Sequence, residues 1–132
     1  MKSTSLNSSY VSYKVEGPVV VINYKKVAVD LDIAKTIVKE RLLFYEGKHY
    51  LTLIDIRQAR LFTKEARDYF AKDGVEGMTA LAIVGGSYLT VVMANLFMKL
   101  SRPLVPTKLF KTKDHALKWL SQLKTIGADI NV

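Results

Sequence analysis

No cysteine occurs among the 132 residues, which excludes a disulfide scaffold, a thiolate nucleophile and every zinc site built on Cys ligands. That composition fits a reducing compartment, and a cytoplasmic location is expected. Histidine is almost as scarce: His49 and His115 are the only two, and their separation matches no local metal motif. No metal or cofactor is expected. Ser87, Ser101 and Thr63 lie in no Gly-x-Ser-x-Gly elbow and have no recognisable base, so hydrolase chemistry lacks support. With neither a nucleophile and its base nor a complete metal set, the chain reads as non-enzymatic.

Long hydrophobic runs are also few. The polar start, Met1 to Ser9, lacks the run of roughly 7 to 15 apolar residues that marks a signal peptide. Only Met78 to Met98 approaches the roughly 20 residues of a membrane span. It is interrupted by Gly85-Gly86-Ser87 and carries Asn95, so it reads as a strand, a tight turn and a helix. No transmembrane segment is expected.

Acidic residues are the third shortage, 12 against 20 Lys and Arg, for a net charge of +8. The excess is uneven: residues 99–132 hold seven Lys or Arg and two Asp, whereas residues 1–98 hold 13 and 10. The late cations are spread over a loop, a strand end and a helix surface, without a recognition-helix pattern or interleaved aromatics. A solvated basic surface is the reading, with no specific nucleic-acid partner.

What is present is an alternating α/β pattern. Tyr10–Lys14 and Pro18–Tyr24 flank Glu16-Gly17 as a hairpin. The all-apolar Val19–Ile22 indicates a strand covered on both faces. A helix follows from Asp30 to Glu46, its stripe formed by Ile33, Ala34, Ile37, Val38, Leu42 and Tyr45, with Lys39 and Arg41 expected in solvent. Strand Tyr50–Ile56, loop Arg57–Phe62, a helix capped by Thr63, strand Met78–Val84, helix Ser87–Leu100, strand Thr107–Phe110 and a helix over His115–Lys124 capped by Thr112 complete the string. The order is β-β-α-β-α-β-α-β-α: one α/β domain over residues 10–126 with a mixed sheet and four helices, between tails at 1–9 and 127–132.

Three phrases carry a family likeness: Leu53-Ile54-Asp55-Ile56, the apolar crossing Ile83 to Met98, and the ending from Leu109 through Lys111-Thr112-Lys113-Asp114-His115 to Trp119-Leu120. Together with the element order they resemble the STAS-like family typified by the bacterial anti-sigma-factor antagonist, and more closely its SpoIIAA-like relatives. The resemblance implies a protein-interaction or regulatory domain. Phosphorylated members carry an Asp-Ser or Ser-Ser pair at the start of the helix after the middle strand. The matching place here is Phe62-Thr63-Lys64-Glu65. The Asp-Ser pair is missing there and only Thr63 offers a hydroxyl, so a plain helix cap is its leading role and phosphorylation the alternative.

Two strand-to-helix turns are the candidate ligand site. Asp55, with Arg57 and Arg60, follows an inner strand, where open α/β sheets place ligands. Gly85, Gly86 and Ser87 offer backbone donors to an anion, although the spacing matches no nucleotide motif, and close strand-to-helix packing also accounts for the glycines. Asp55 can equally accept nearby N–H groups or pair with an arginine.

The helix after Ser87 is interrupted only by Thr90, Asn95 and Lys99. One half can pack on the sheet; the other needs a partner, a second copy or a ligand. Met93, Phe97, Met98 and Lys99 are the candidate interaction surface. The leading expectation is a non-enzymatic STAS-like interaction domain that binds a protein partner or forms a homodimer through residues 88–100. The alternative is a carrier or sensor of a small amphipathic anion or lipid, which requires a pocket of at least about 300 Å³ beside the two turns.

Overall fold

At Gly17 the chain reverses with φ +62°, a conformation that L side chains rarely adopt. This turn joins β2 (Val11–Glu16) to β3 (Val19–Tyr24) as an antiparallel hairpin. In the computed structural model, the backbone is described for residues 4–130 and side chains for residues 4–123. A short strand β1 (Ser5–Asn7) pairs antiparallel with β2 inside the segment assigned to a tail. Its three residues are exposed, so it is held by main-chain bonds and has no apolar alternation to betray it.

After β3, a two-residue strand β4 (Ala28–Val29) leads into α1 (Leu31–Tyr45), then β5 (Tyr50–Asp55), a two-residue β6 (Leu61–Phe62) and α2 (Lys64–Lys72). A single 3₁₀ turn (Asp73–Val75) precedes β7 (Met78–Val84) and α3 (Tyr88–Leu96). A π turn (Phe97–Ser101), β8 (Thr107–Phe110) and α4 (Lys113–Ile130) follow. The C-terminal tail expected at 127–132 is helical backbone through Ile130, and residues 131 and 132 lie outside the described residues. The main sheet runs β1-β2-β3-β5-β7-β8, and β4 pairs with β6 in a separate two-stranded ribbon. Strands β3, β5, β7 and β8 run parallel to one another and β2 antiparallel to them, so the α/β class with a mixed sheet and four helices is what the chain adopts.

Side-chain alternation divides the core in two. Val19 and Val21, Leu51 and Leu53, and Ala80, Ala82 and Val84 pack with Ala116 and Leu120 of α4. Val20, Ile22, Leu81 and Ile83 pack on the opposite side with residues of α1, α2 and α3. The caps expected at Thr63 and Thr112 form, accepting from Ala66 N and His115 N, and Asp30 caps α1 by accepting from Ile33 N.

One expectation fails inside α1. Arg41 is not solvated; it is 2% exposed. Its Nη2 donates to Gly74 O at 2.7 Å, and its guanidinium lies 4.7 Å from the Tyr45 ring centre. Nη1 is buried without a hydrogen-bond partner. The spacing explains the placement, because Arg41 stands four residues after Ile37 and four before Tyr45, both buried on the same stripe.

Candidate functional site

The two turns at the C-terminal edge of the sheet meet. Asp55 ends β5, and its carboxylate accepts from Arg57 N at 3.0 Å and from Arg57 Nη2 at 2.7 Å. Arg57 Nε donates to both carboxylate oxygens, at 3.0 and 3.1 Å. These bonds, with the adjacent negative charge, push the guanidinium pKa further up. A Cβ placed on Gly86 would touch the Arg57 stem at 3.5 Å, so the second turn sits directly against this pair. Arg60 leaves the constellation: its N–H donates to Val27 O beside the small ribbon, and its side chain is exposed.

The backbone donors at the second turn are largely engaged within the chain. Ser87 caps α3 by accepting from Thr90 N at 3.1 Å, while Ser87 N donates to Thr90 Oγ1 at 3.0 Å. Gly85 N donates to Phe110 O. A Cβ on Gly85 would stand 3.3 Å from Thr90 Oγ1, so strand-to-helix packing suffices to account for that glycine. Asp55, Arg57, Gly85, Gly86 and Ser87 thus come together as a self-satisfied polar edge. At Thr63 the hydroxyl accepts from Ala66 N at 3.2 Å, the geometry of a helix cap. Both histidines are exposed, and no group of metal-ligating side chains forms among the described residues.

The third helix divides by face. Thr90, Met93, Ala94 and Phe97 are buried, and Met93 Sδ accepts from Phe62 N at 3.2 Å. Met93 and Phe97 are therefore core residues of this chain, not an outward surface. Met98 is half-buried and Lys99 exposed. The outward side consists instead of Tyr88 (87% exposed), Leu89 (49%) and Leu100 (74%), with Val92 and Leu96 partly open. Hydrophobicity on both faces concealed which residues turn inward: the stripe through residues 90, 94 and 97 is no more apolar than the one through 88, 92 and 96. The one clue is Thr90, whose hydroxyl is occupied by the Ser87 cap and so enters the core satisfied.

Beneath α3 lies an apolar cavity of about 60 Å³, between the sheet residues Ile54, Ile56 and Ile83 and the side chains of Phe62, Phe70, Met93 and Phe97. None of Asp55, Arg57, Arg60, Gly85, Gly86 or Ser87 lines it. Tyr24 does, and burial is the main cause that pushes its phenol pKa well above the usual range. Arg67 closes one side by donating to Phe62 O at 2.6 Å.

The charge around α3 has one sign. Between Glu76 and Asp114 there is no acidic residue, and the cations are Lys99, Arg102, Lys108, Lys111 and Lys113. Asp68 of α2, next to the π turn, is already held by Lys64 at 2.8 Å and by Ser101 Oγ at 2.6 Å. Those bonds draw its carboxyl pKa down.

A family model described as "Domain of unknown function (DUF7793)" matches residues 13–124. The chain belongs to that family. Among solved structures it is similar to an uncharacterized protein from the DUF3478 family with a SpoIIAA-like fold, from Shewanella loihica PV-4. That match has 14% identity and a TM-score of 0.57, covering 87% of this chain and 98% of that one. At this identity the likeness establishes the fold alone, which is SpoIIAA-like. A search of curated proteins found no match. Among the described residues no helix of this DUF7793 member is long and apolar enough to cross a membrane.

Proposed function

We propose that this DUF7793 domain is a non-enzymatic protein-interaction domain and that it self-associates through the outer face of α3. The observation that carries this reading is the contrast across one helix. Thr90, Met93, Ala94 and Phe97 complete the chain's own core, while Tyr88, Leu89 and Leu100 stand in solvent. Large exposed apolar side chains in series mark contact surfaces. A face three turns long is small beside stable interfaces and supports a weak contact.

The alternative, carriage or sensing of a small amphipathic anion or lipid, draws on the cavity beneath α3. Its volume, about 60 Å³, is well under the roughly 300 Å³ of small-molecule pockets. The polar edge at Asp55 and Arg57 also lies outside its lining. The interaction reading is the stronger one.

Sedimentation equilibrium over a wide concentration range tests it. The wild-type chain is expected to pass from monomer to dimer, and Tyr88→Glu with Leu100→Glu to remain monomeric with an unchanged circular dichroism spectrum. A strictly monomeric wild type at millimolar concentration defeats self-association. Charged substitutions at Phe97 are unsuitable probes, because that side chain is 8% exposed and belongs to the core.

A further inference from the structure

We propose that the outer face of α3 takes an acidic amphipathic helix of another protein, for which the second copy of this chain is a weaker substitute. The proposal rests on α3 being a contact surface and adds the chemistry of its partner. Charge complementarity selects that partner. The apolar stripe of Tyr88, Val92, Leu96 and Leu100 ends at Lys99 and Arg102, both exposed. The whole segment from Gly77 to Lys113 carries no carboxylate of its own. A second copy brings the same apolar side chains and the same cations, so it supplies burial without a counter-charge. An acidic helix supplies both.

The direction of binding follows from where the cations stand. Lys99 and Arg102 lie at the C-terminal end of the stripe, while Tyr88 and Leu89 at its start have no cation within their turn. A helix lying antiparallel on α3 places its own N-terminal turn beside Lys99 and Arg102. Glu and Asp are favoured in that turn by the helix's own dipole. The acidic residues of a partner therefore stand where they stabilise its helix and meet Lys99 and Arg102, which are exposed on this face. The other carboxylates near α3 do not compete: Asp55 is held by Arg57, and Asp68 by Lys64 and Ser101.

An anionic bilayer shares the negative charge but fits the arrangement less well. A helix lying in a membrane surface carries cations along the flanks of its apolar face. Here they stand at one end, and Asn95 lies between Val92 and Leu96 on the outward side.

The probe is a designed 16-residue helical peptide with Leu at every third and fourth position and Glu in its first two turns, compared with the same peptide carrying Gln for Glu. Titration into the full chain, followed by fluorescence anisotropy and sedimentation, is expected to give a 1:1 complex that displaces any dimer. The Gln peptide is expected to bind at least about 10-fold more weakly, and added salt to erase that difference by screening. K99E with R102E is expected to reduce acidic-peptide binding by a similar factor, with an unchanged circular dichroism spectrum. Equal binding of the Glu and Gln peptides overturns the proposal but leaves a contact surface in place. A dimer that the acidic peptide does not displace overturns it in the same way. A monomeric chain that binds neither peptide overturns both this proposal and the contact-surface reading. Co-sedimentation with vesicles containing phosphatidylserine, undiminished by excess acidic peptide, overturns it in favour of a bilayer.

Discussion

The two faces of the sheet solve the covering problem differently. On one side a single helix, α4, lies over Val19, Val21, Ala80, Ala82 and Val84, and small residues let helix and sheet approach closely. On the other side α1, α2 and α3 must be reconciled over one surface. The set there includes Tyr13, Tyr24, Phe44, Tyr45 and Phe62, a buried Arg41 and the cavity of about 60 Å³. The one helix is met by a buried set that is wholly aliphatic, with Phe110 and Trp119 packed at its margin. Three helices meeting at a sheet demand large, adaptable side chains and leave a gap where α2 and α3 diverge. The second face of α3 turns away from the core, so the proposed contact surface and the cavity belong to one side of the molecule.

Alkaline pH should break that side first. Burial is the main cause that raises the phenol pKa of Tyr13, Tyr24 and Tyr45, all on the three-helix side. The folded pKa values lie above the ordinary value near 10, so this stability is fully present below pH 10 and is lost as pH rises through the folded values. Each tyrosine that ionises only when unfolded removes about 1.4 kcal/mol per pH unit above about 10. At pH 11 the loss from two or three of them is about 3–4 kcal/mol. Tyrosinate absorbance should show the buried phenols ionising only together with loss of helical circular dichroism. Titration of all seven tyrosines in one step near pH 10, with the fold retained, would contradict this.

Removing bulk from the α4 side is the next largest effect. Leu53 is fully buried beneath α4 in the tightly packed aliphatic set. Leu53→Ala should cost about 3–4 kcal/mol, because a rigid sheet and a close helix cannot collapse into the space left behind. Denaturant titration measures it as a lower midpoint with unchanged slope. A cost under about 1 kcal/mol would mean that this side is as yielding as the other.

The contrast between the faces was only half legible in the sequence. Val19–Ile22 announces a strand covered twice, and Asp30, Thr63, Ser87 and Thr112 announce helix starts, because caps and alternation are local chemistry that survives in any context. Three-dimensional competition hid the rest. Arg41 reads as a surface cation until Gly74 O and the Tyr45 ring are brought around it from separate elements. Met93 and Phe97 look like contact residues because α3 is apolar on both sides, and only docking against Phe62 and the cavity decides which side turns inward. Strands β1, β4 and β6 are two or three residues long, too short for a period to register. At the candidate ligand edge, the pairing of Asp55 with Arg57 was legible as one of two options, whereas the departure of Arg60 toward Val27 depends on a ribbon with no sequence signature.

The smallest expected effect is also the sharpest comparison: a small-to-large change on each side. Ala82 is fully buried in the center of the α4-side set. Ala82→Leu should cost about 2–3 kcal/mol, since added methylenes in a filled core force rotamers and backbone out of place. Ala94 of α3 is equally buried but lines the cavity. Ala94→Val puts two methyl groups toward empty space, gaining up to about 0.8 kcal/mol for each that becomes fully packed. The β-branched residue gives back about 0.5 kcal/mol of helix propensity. The net should lie between zero and about 1 kcal/mol of stabilisation, read as an unchanged or slightly raised Tm. Equal destabilisation by the two substitutions would show that the space beneath α3 is as tightly held as the α4 side, and the contrast between the faces would fall with it.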